Sequence, residues 1–344
     1  MPPNPKFLVI LPVRDGERYV TQAVASVLAQ TESNLRLFVL DNVSRDGTLA
    51  AVRAFHDPRI VIRESPISLS IEQSWTRILD LVRAEADPSS MMTLIGHDDL
   101  LYPEFLGEIG RLAAAHPQAS LFQTHFHLID HAGRTIRPCT PIPAVETASE
   151  YFRIRAWGSR DSYGTGHAFT VRDYLAVGGI PDFPRLLFAD DALFFRLASL
   201  GYKATSRAVA FAYRLHATSA SVNVSLARNS DLVRALDRWS KEIVERHPTL
   251  IADEVGEVAL GRMMVNALEA TDLGLTEWRY EPEIRELKRR LASAAKTHLR
   301  GVHYPERNWK GEVTRTFLMS VDSARMLLRD ALARRYGDKE GKNR

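Results

Sequence analysis

Strand-like and helix-like segments alternate through the first two-thirds of the chain. This predicts an α/β fold: a mainly parallel sheet with helices on both faces, followed by a C-terminal α-helical region. Three observations carry the prediction. Short apolar runs such as "FLVILPV" (7–13) and "LRLFVLD" (35–41) have the length of strands buried on both faces. Each is followed by a segment whose apolar residues recur at helical spacing. After about residue 224 the strand signals fade. We therefore expect an α/β unit over 1–224 and a helical region over 225–344.

Taken in order, "FLVILPV" is the first strand, and "RYVTQAVASVLAQ" (18–30) the first helix, with Val20, Ala23, Val24, Val27 and Leu28 on one face. "LRLFVLD" is the second strand, and "DGT" at 46–48 a turn that starts a helix. "RIVIRES" (59–65) is a third strand, and a helix over about 70–84 aligns Ile71, Trp75, Ile78 and Val82. "MMTLI" (91–95) is a fourth strand, "PEFLGEIGRLAAA" (103–115) a helix with proline in its first turn, and "SLFQTHFHLID" (120–130) a fifth strand. "VAFAYRL" also reads as a strand, ending just before His216. The helical region holds three amphipathic segments at 230–247, 254–270 and 283–299. A fourth, at 312–337, stacks Phe317, Val321, Ala324, Leu328 and Ala331 opposite Arg315, Arg325, Arg329 and Arg335.

Composition narrows the function classes. The 344 residues are 45% hydrophobic and 25% charged, as in an ordinary globular protein able to bury a sizeable core. One cysteine, Cys139, leaves neither an internal disulfide nor a cysteine metal cluster, and a reducing, cytoplasmic setting is expected. "KFLVILPV" is too short for a signal peptide, and no apolar run approaches the roughly 20 residues of a membrane span. Residues 281–344 carry 16 Lys/Arg against 9 Asp/Glu, a net +7, which leaves −4 for the rest of the +3 total. A solvated helical face and a peripheral contact with anionic membrane both explain the basic tail. It lacks the interleaved aromatics of a nucleic-acid surface, so no nucleic-acid partner is expected.

Parallel sheets bind ligands at the carboxyl ends of their strands, and both "LDNVSRDG" and "LIGHDDLLYPEF" (94–105) place acids there. Adjacent Asp98 and Asp99 suit a helix cap, a turn or a doubly charged cation. "ADD" at 189–191 opens another helix, where one aspartate is explained by capping and the second is not.

Seven segments, in order, resemble glycosyltransferase family 2, the nucleotide-sugar-dependent enzymes of the Rossmann-like GT-A fold. They are "VILPVRDGERYVTQAVASVLAQT", "LFVLDNVSRDGT", "SLSIEQSWTRIL", "LIGHDDLLYPEFL", "GHAFTVRDYLAVGGI", "ADDALFFRLASLGY" and "YRLHATSAS", spanning roughly residues 6–222. The resemblance implies an inverting glycosyltransferase acting on a nucleotide-diphosphate sugar donor and a glycan or lipid-linked acceptor. Bacterial cell-envelope polysaccharide or lipopolysaccharide synthesis, at the inner face of the membrane, is the default setting. It implies Mn²⁺ or Mg²⁺ held by Asp99 and His216, with Asp98 toward the ribose or sugar. Pro12, Val13, Arg14, Asp41 and Asn42 are implied around the nucleobase, and Asp191 as general base with Asp190 its neighbour. The chain departs from the family at His97 and at Asn42, where acids are common, which leaves ribose contact and base identity open. Trp75 either packs its helix or stacks near the nucleotide. Two other functions are weighed against this one. A nucleotidyltransferase would need a glycine-rich basic loop after the first strand, and "PVRDGERY" has one glycine. A non-catalytic sugar-nucleotide scaffold would be expected to lose Asp99, Asp191 and His216.

Overall fold

The computed structural model describes residues 6–158, 160–215, 226–272 and 280–299. Its first half alternates as expected: β1 (Phe7–Val13), α1 (Val20–Leu28), β2 (Leu35–Asp41), α2 (Thr48–Arg53), β3 (Ile60–Glu64), α3 (Ile71–Glu85) and β4 (Met91–Leu94). There follow β5 (Leu100–Leu101), α4 (Phe105–Ala115), β6 (Leu121–Ile129), β7 (Thr135–Pro138), β8 (Val145–Glu146) and α5 (Ala148–Ala156). The α/β part closes with β9 (His167–Thr170), α6 (Val171–Ala176), α7 (Ala189–Leu200) and β10 (Lys203–Arg214). Helices α8 (Leu226–Arg246), α9 (Glu254–Asp272) and α10 (Pro282–His298) complete the described chain.

One sheet runs in the order β3-β2-β1-β4-β9-β6-β10-β5, with β7 on β6 and β8 on β10. The β1–β2, β2–β3, β1–β4 and β6–β10 pairs are parallel, whereas β9 runs antiparallel between β4 and β6. Side chains on a strand alternate faces, and the core divides accordingly. Leu8, Ile10, Phe38 and Leu40 face one apolar cluster, while Phe7, Val9, Leu11, Leu37 and Val39 face the other. The second cluster lies under α1 and α4. The first also takes in Leu193 and Phe195 of α7, Trp239 of α8, Leu260 of α9 and Ile284 of α10. The described C-terminal helices therefore share a core with the sheet. Segment 216–225, where we place the boundary between the two expected units, lies outside the described residues, as does the helix expected at 312–337.

Helix α3 starts where its sequence supplies a cap. The Ser70 hydroxyl accepts from the Gln73 amide while the Gln73 side chain accepts from the Ser70 N–H. Ile78 and Val82 are buried and Trp75 packs against the same core, whereas Ile71, in the first turn, is 42% exposed.

Candidate active site

The β1 and β2 ends form the first wall. Their register sets Val13 opposite Asp41, and the loops beyond are tied together by Asp15 N–H to Ser44 Oγ (3.0 Å), Gly16 N–H to Thr48 Oγ1 (2.8 Å) and Glu17 N–H to Asp46 Oδ2 (3.0 Å). Pro12 and Val13 are buried and Arg14 is exposed. Asp41 is 1% exposed. Its Oδ2 accepts from the Ser44 N–H at 3.1 Å, but Oδ1 is buried with no hydrogen-bond partner among the described residues. The Arg77 guanidinium lies alongside. One of its nitrogens donates to the Asp41 carbonyl at 2.8 Å, and its Nε is likewise buried without a partner. Arg77 also lines a cavity of about 450 Å³ with Leu40, Arg63, Ser65, Pro66 and Leu69. An acceptor and a donor at one strand end, each without a partner among the described residues, suit a ligand that carries both groups, since leaving each buried and unpaired is costly. Asn42, the neighbouring candidate, is engaged within the protein. Its Oδ1 accepts from the Leu69 N–H (2.8 Å) and its Nδ2 donates to the Leu69 carbonyl (3.0 Å), so the amide holds the loop before α3.

The "GHDD" turn follows β4 and is pinned by β5, whose Leu100 and Leu101 pair with Ala212 and Phe211 of β10. Asp99 is 1% exposed. Its Oδ2 accepts from the Thr165 hydroxyl at 2.5 Å and its Oδ1 from the Arg214 N–H at 2.9 Å. Burial, and the like charge of Asp98 beside it, hold its carboxyl well above the ordinary range. Each oxygen thus takes one hydrogen bond inside the protein, which leaves Asp99, the residue expected to meet a metal ion, held in a buried position. Asp98 is partly exposed at the turn. Gly96 is fixed by the same crowding. A Cβ there would lie 2.7 Å from Asp98 Oδ1 and 2.9 Å from Asp99 Oδ2. Arg214, at the end of β10, braces the same turn. It is 1% exposed, donates to the carbonyls of Asp98 (2.6 Å), Asp130 (3.2 Å) and His131 (3.3 Å) and to Gln22 Oε1 (2.8 Å), and lies over the Tyr19 ring. His216, the other expected metal ligand, lies outside the described residues.

The third wall is the start of α7. Asp191 is gripped by Arg155 of α5 through Nε to Oδ1 (2.7 Å) and Nη2 to Oδ2 (2.6 Å). Asp190 accepts from the Asp191 N–H on Oδ1 at 2.9 Å. Burial first, then the neighbouring Asp191 charge, push its carboxyl up to about 7, against the pull of Arg155. The carboxylate poised to take a proton near neutral pH is therefore Asp190, and the one locked in an ion pair is Asp191. Tyr163 is stacked on Tyr213 of β10 at 3.6 Å and edge-on to Phe126 of β6 at 5.9 Å, and burial first, then the Asp161 charge, push its phenol up. Backbone strain gathers in the same loops. All five described non-glycine residues with positive φ are Asp15, Val43, Arg185, Leu186 and Phe188, as expected where function over-determines the backbone.

Comparison with known proteins decides the family. A model described as glycosyl transferase family 2 matches residues 8–175. This segment is a family 2 glycosyltransferase domain. A structure of TarS 1-349 from S. aureus in complex with UDP-GlcNAc superposes with a TM-score of 0.62 at 15% identity, covering 96% of this chain and 92% of that one. Another structure of TarS 1-349 gives 0.59 at 14% identity, covering 86% and 81%. At such identity the likeness establishes the GT-A fold. An uncharacterized protein, y4gI, of Sinorhizobium fredii (strain NBRC 101917 / NGR234) is 29% identical over 127 residues, 35% of this chain. The chain spans only 13% of the length of that relative.

The sequence singles out Asp41, Asp98, Asp99, Asp190 and Asp191 as candidate site residues but gives no sign of the parts played by Arg77, Arg155 and Thr165. Arg77 lies on α3 among polar positions that read as an ordinary solvated helix face. Arg155 lies on α5, whose weak amphipathic pattern gives no signal, and Thr165 gains its role only when β9 enters beside β4.

Proposed function

We propose that the protein moves a sugar from a nucleotide-diphosphate sugar to a hydroxyl of a glycan or lipid-linked acceptor by one in-line displacement, with inversion at the anomeric carbon. The observation that carries this reading is a pair of partly exposed carboxylates on one rim with different surroundings, Asp98 beside the buried Asp99 in its turn and Asp190 beside the forked Asp191, with its proton affinity raised. Asp41 Oδ1 and Arg77 Nε would read the edge of the base. Asp98 would hold Mn²⁺ or Mg²⁺ together with the donor phosphates. The described residues contain no group of three His, Cys, Asp or Glu placed to enclose a metal. An oxygen donor supplied by one carboxylate instead fits a hard ion that completes its shell with phosphate and water. When bound, the ion supplies positive charge to the departing diphosphate. Asp190 accepts the acceptor hydroxyl's proton as that oxygen attacks, a role transferred to it from Asp191 because the Arg155 fork occupies both Asp191 oxygens. Asp99, with Thr165 and Arg214, keeps the turn in place. The acceptor we propose, a cell-envelope glycan or lipid-linked intermediate, rests on the family resemblance, and the +7 charge of residues 281–344 supports a peripheral contact with anionic membrane.

A thermal-shift series with UDP, GDP and dTDP and their sugars, with and without Mn²⁺, tests the donor half of this reading. A ligand that binds only the folded state raises the melting temperature. One nucleotide family is expected to stabilise the protein, and more strongly with Mn²⁺. No shift with any of them contradicts the proposal.

A further inference from the structure

The fork between Arg155 and Asp191 takes no part in the displacement, yet it is built with care. Besides its two bonds to Asp191, Arg155 donates through Nη1 to the Arg160 carbonyl at 2.9 Å. Arg160 is 5% exposed and donates to Glu146 Oε2 at 2.8 Å, and the same oxygen accepts from Lys203 Nζ at 2.8 Å. Glu146 belongs to β8 and Lys203 to β10, so the guanidinium that holds Asp191 is itself anchored to the sheet. The start of α7 needs such an anchor. Its first turn has no side-chain cap, and it follows Arg185, Leu186 and Phe188, all left-handed in φ.

We infer that the Arg155–Asp191 fork is a positioning device, which orients Asp190 on the first turn of α7. This rests on Asp190 being the base. The charged groups facing Asp190 are Asp191 on its own helix, which raises its affinity, and Arg155 from α5, which lowers it, with burial adding to the first. The device makes the two aspartates unequal. Asp191 never reaches the substrate, and its loss is felt through Asp190.

The full chain labelled with ¹³C-carboxyl aspartate tests this without knowing the acceptor. The Asp190 resonance is assigned by its loss in Asp190→Asn and titrated from about pH 4 to 9, a range chosen to bracket free and raised carboxyls. A midpoint near 7 is expected in the wild type. Asp191→Asn, which removes the like charge, is expected to lower that midpoint by about one pH unit or more. Arg155→Lys keeps a cation but cannot fork. It is expected to slow nucleotide-sugar hydrolysis roughly tenfold at alkaline pH, where the base is already ionised. An unchanged midpoint in Asp191→Asn, or an unchanged rate in Arg155→Lys, overturns the inference. Hydrolysis that survives Asp190→Asn instead removes the base assignment beneath it, while the midpoint still reports whether the fork acts on Asp190.

Discussion

In the turn after β4, Asp99 accepts hydrogen bonds on both carboxylate oxygens, whereas Asp98 keeps part of its surface exposed. Asp98→Ala is therefore expected to abolish the Mn²⁺ enhancement of nucleotide-diphosphate binding in calorimetry while leaving the melting temperature nearly unchanged. Asp99→Ala strands the Thr165 hydroxyl and the Arg214 N–H, and should destabilise the fold by about 1–3 kcal/mol in urea melts. The reverse pattern would return the metal contact to Asp99. Asp190 adds a prediction in pH. Its carboxyl binds a proton more tightly in the folded chain, at about 7, than an unfolded aspartate does at about 4. The folded state is thus favoured at low pH, and that contribution is lost as pH rises through this window. Asp190→Asn should match the wild type near pH 4 and melt at least about 1 °C higher at pH 8, the shift that roughly 1 kcal/mol gives at this size. An equal or lower melting temperature at pH 8 counts against a raised Asp190. The acidic residues themselves were legible because carboxylates at strand ends need a reason. Their division of labour was not, since it depends on Thr165, Arg155 and Arg214, which lie 66, 36 and 115 positions from the groups they hold.

Among the elements, the strands with strong apolar runs, β1 to β4 and β6, were readable from pattern alone. Strand β9 was not. It has four residues, "HAFT", and its place between β4 and β6 comes from antiparallel pairing that no local signal announces. Helix α7 was readable as a helix, but its dependence on α8 was hidden. Arg196 of α7 forks onto Glu242 of α8 at 2.5 and 2.7 Å, with side chains 16% and 8% exposed. Removing one partner leaves a buried charge, so Glu242→Ala should cost about 3 kcal/mol in chemical denaturation. A cost below about 1 kcal/mol, the level of a surface pair, would show that α8 is only loosely coupled to the helix that bears Asp190.

At the scale of the whole molecule, one sheet brings three acidic loops to a common rim, and the described C-terminal helices bury their apolar faces in the same core as β1 and β2. None of the described helices is long and apolar enough to cross a membrane. If the basic end of the chain recruits the enzyme to a lipid-linked acceptor, removing residues 312–344 should leave a folded, donor-binding protein that no longer pellets with anionic vesicles at low salt, where each Lys/Arg contributes roughly 1 kcal/mol. Vesicle binding that survives the truncation contradicts that role. The account as a whole turns on sugar transfer driven by a carboxylate base. Its most direct measurement is the release of nucleotide diphosphate from a panel of UDP-, GDP- and dTDP-sugars in the presence of Mn²⁺, for the wild type and for Asp190→Asn. The account predicts that the wild type consumes one class of donor, that EDTA stops it, and that Asp190→Asn slows it by roughly 10²–10⁴. Release that continues in excess EDTA, or that proceeds equally fast in Asp190→Asn, would contradict it.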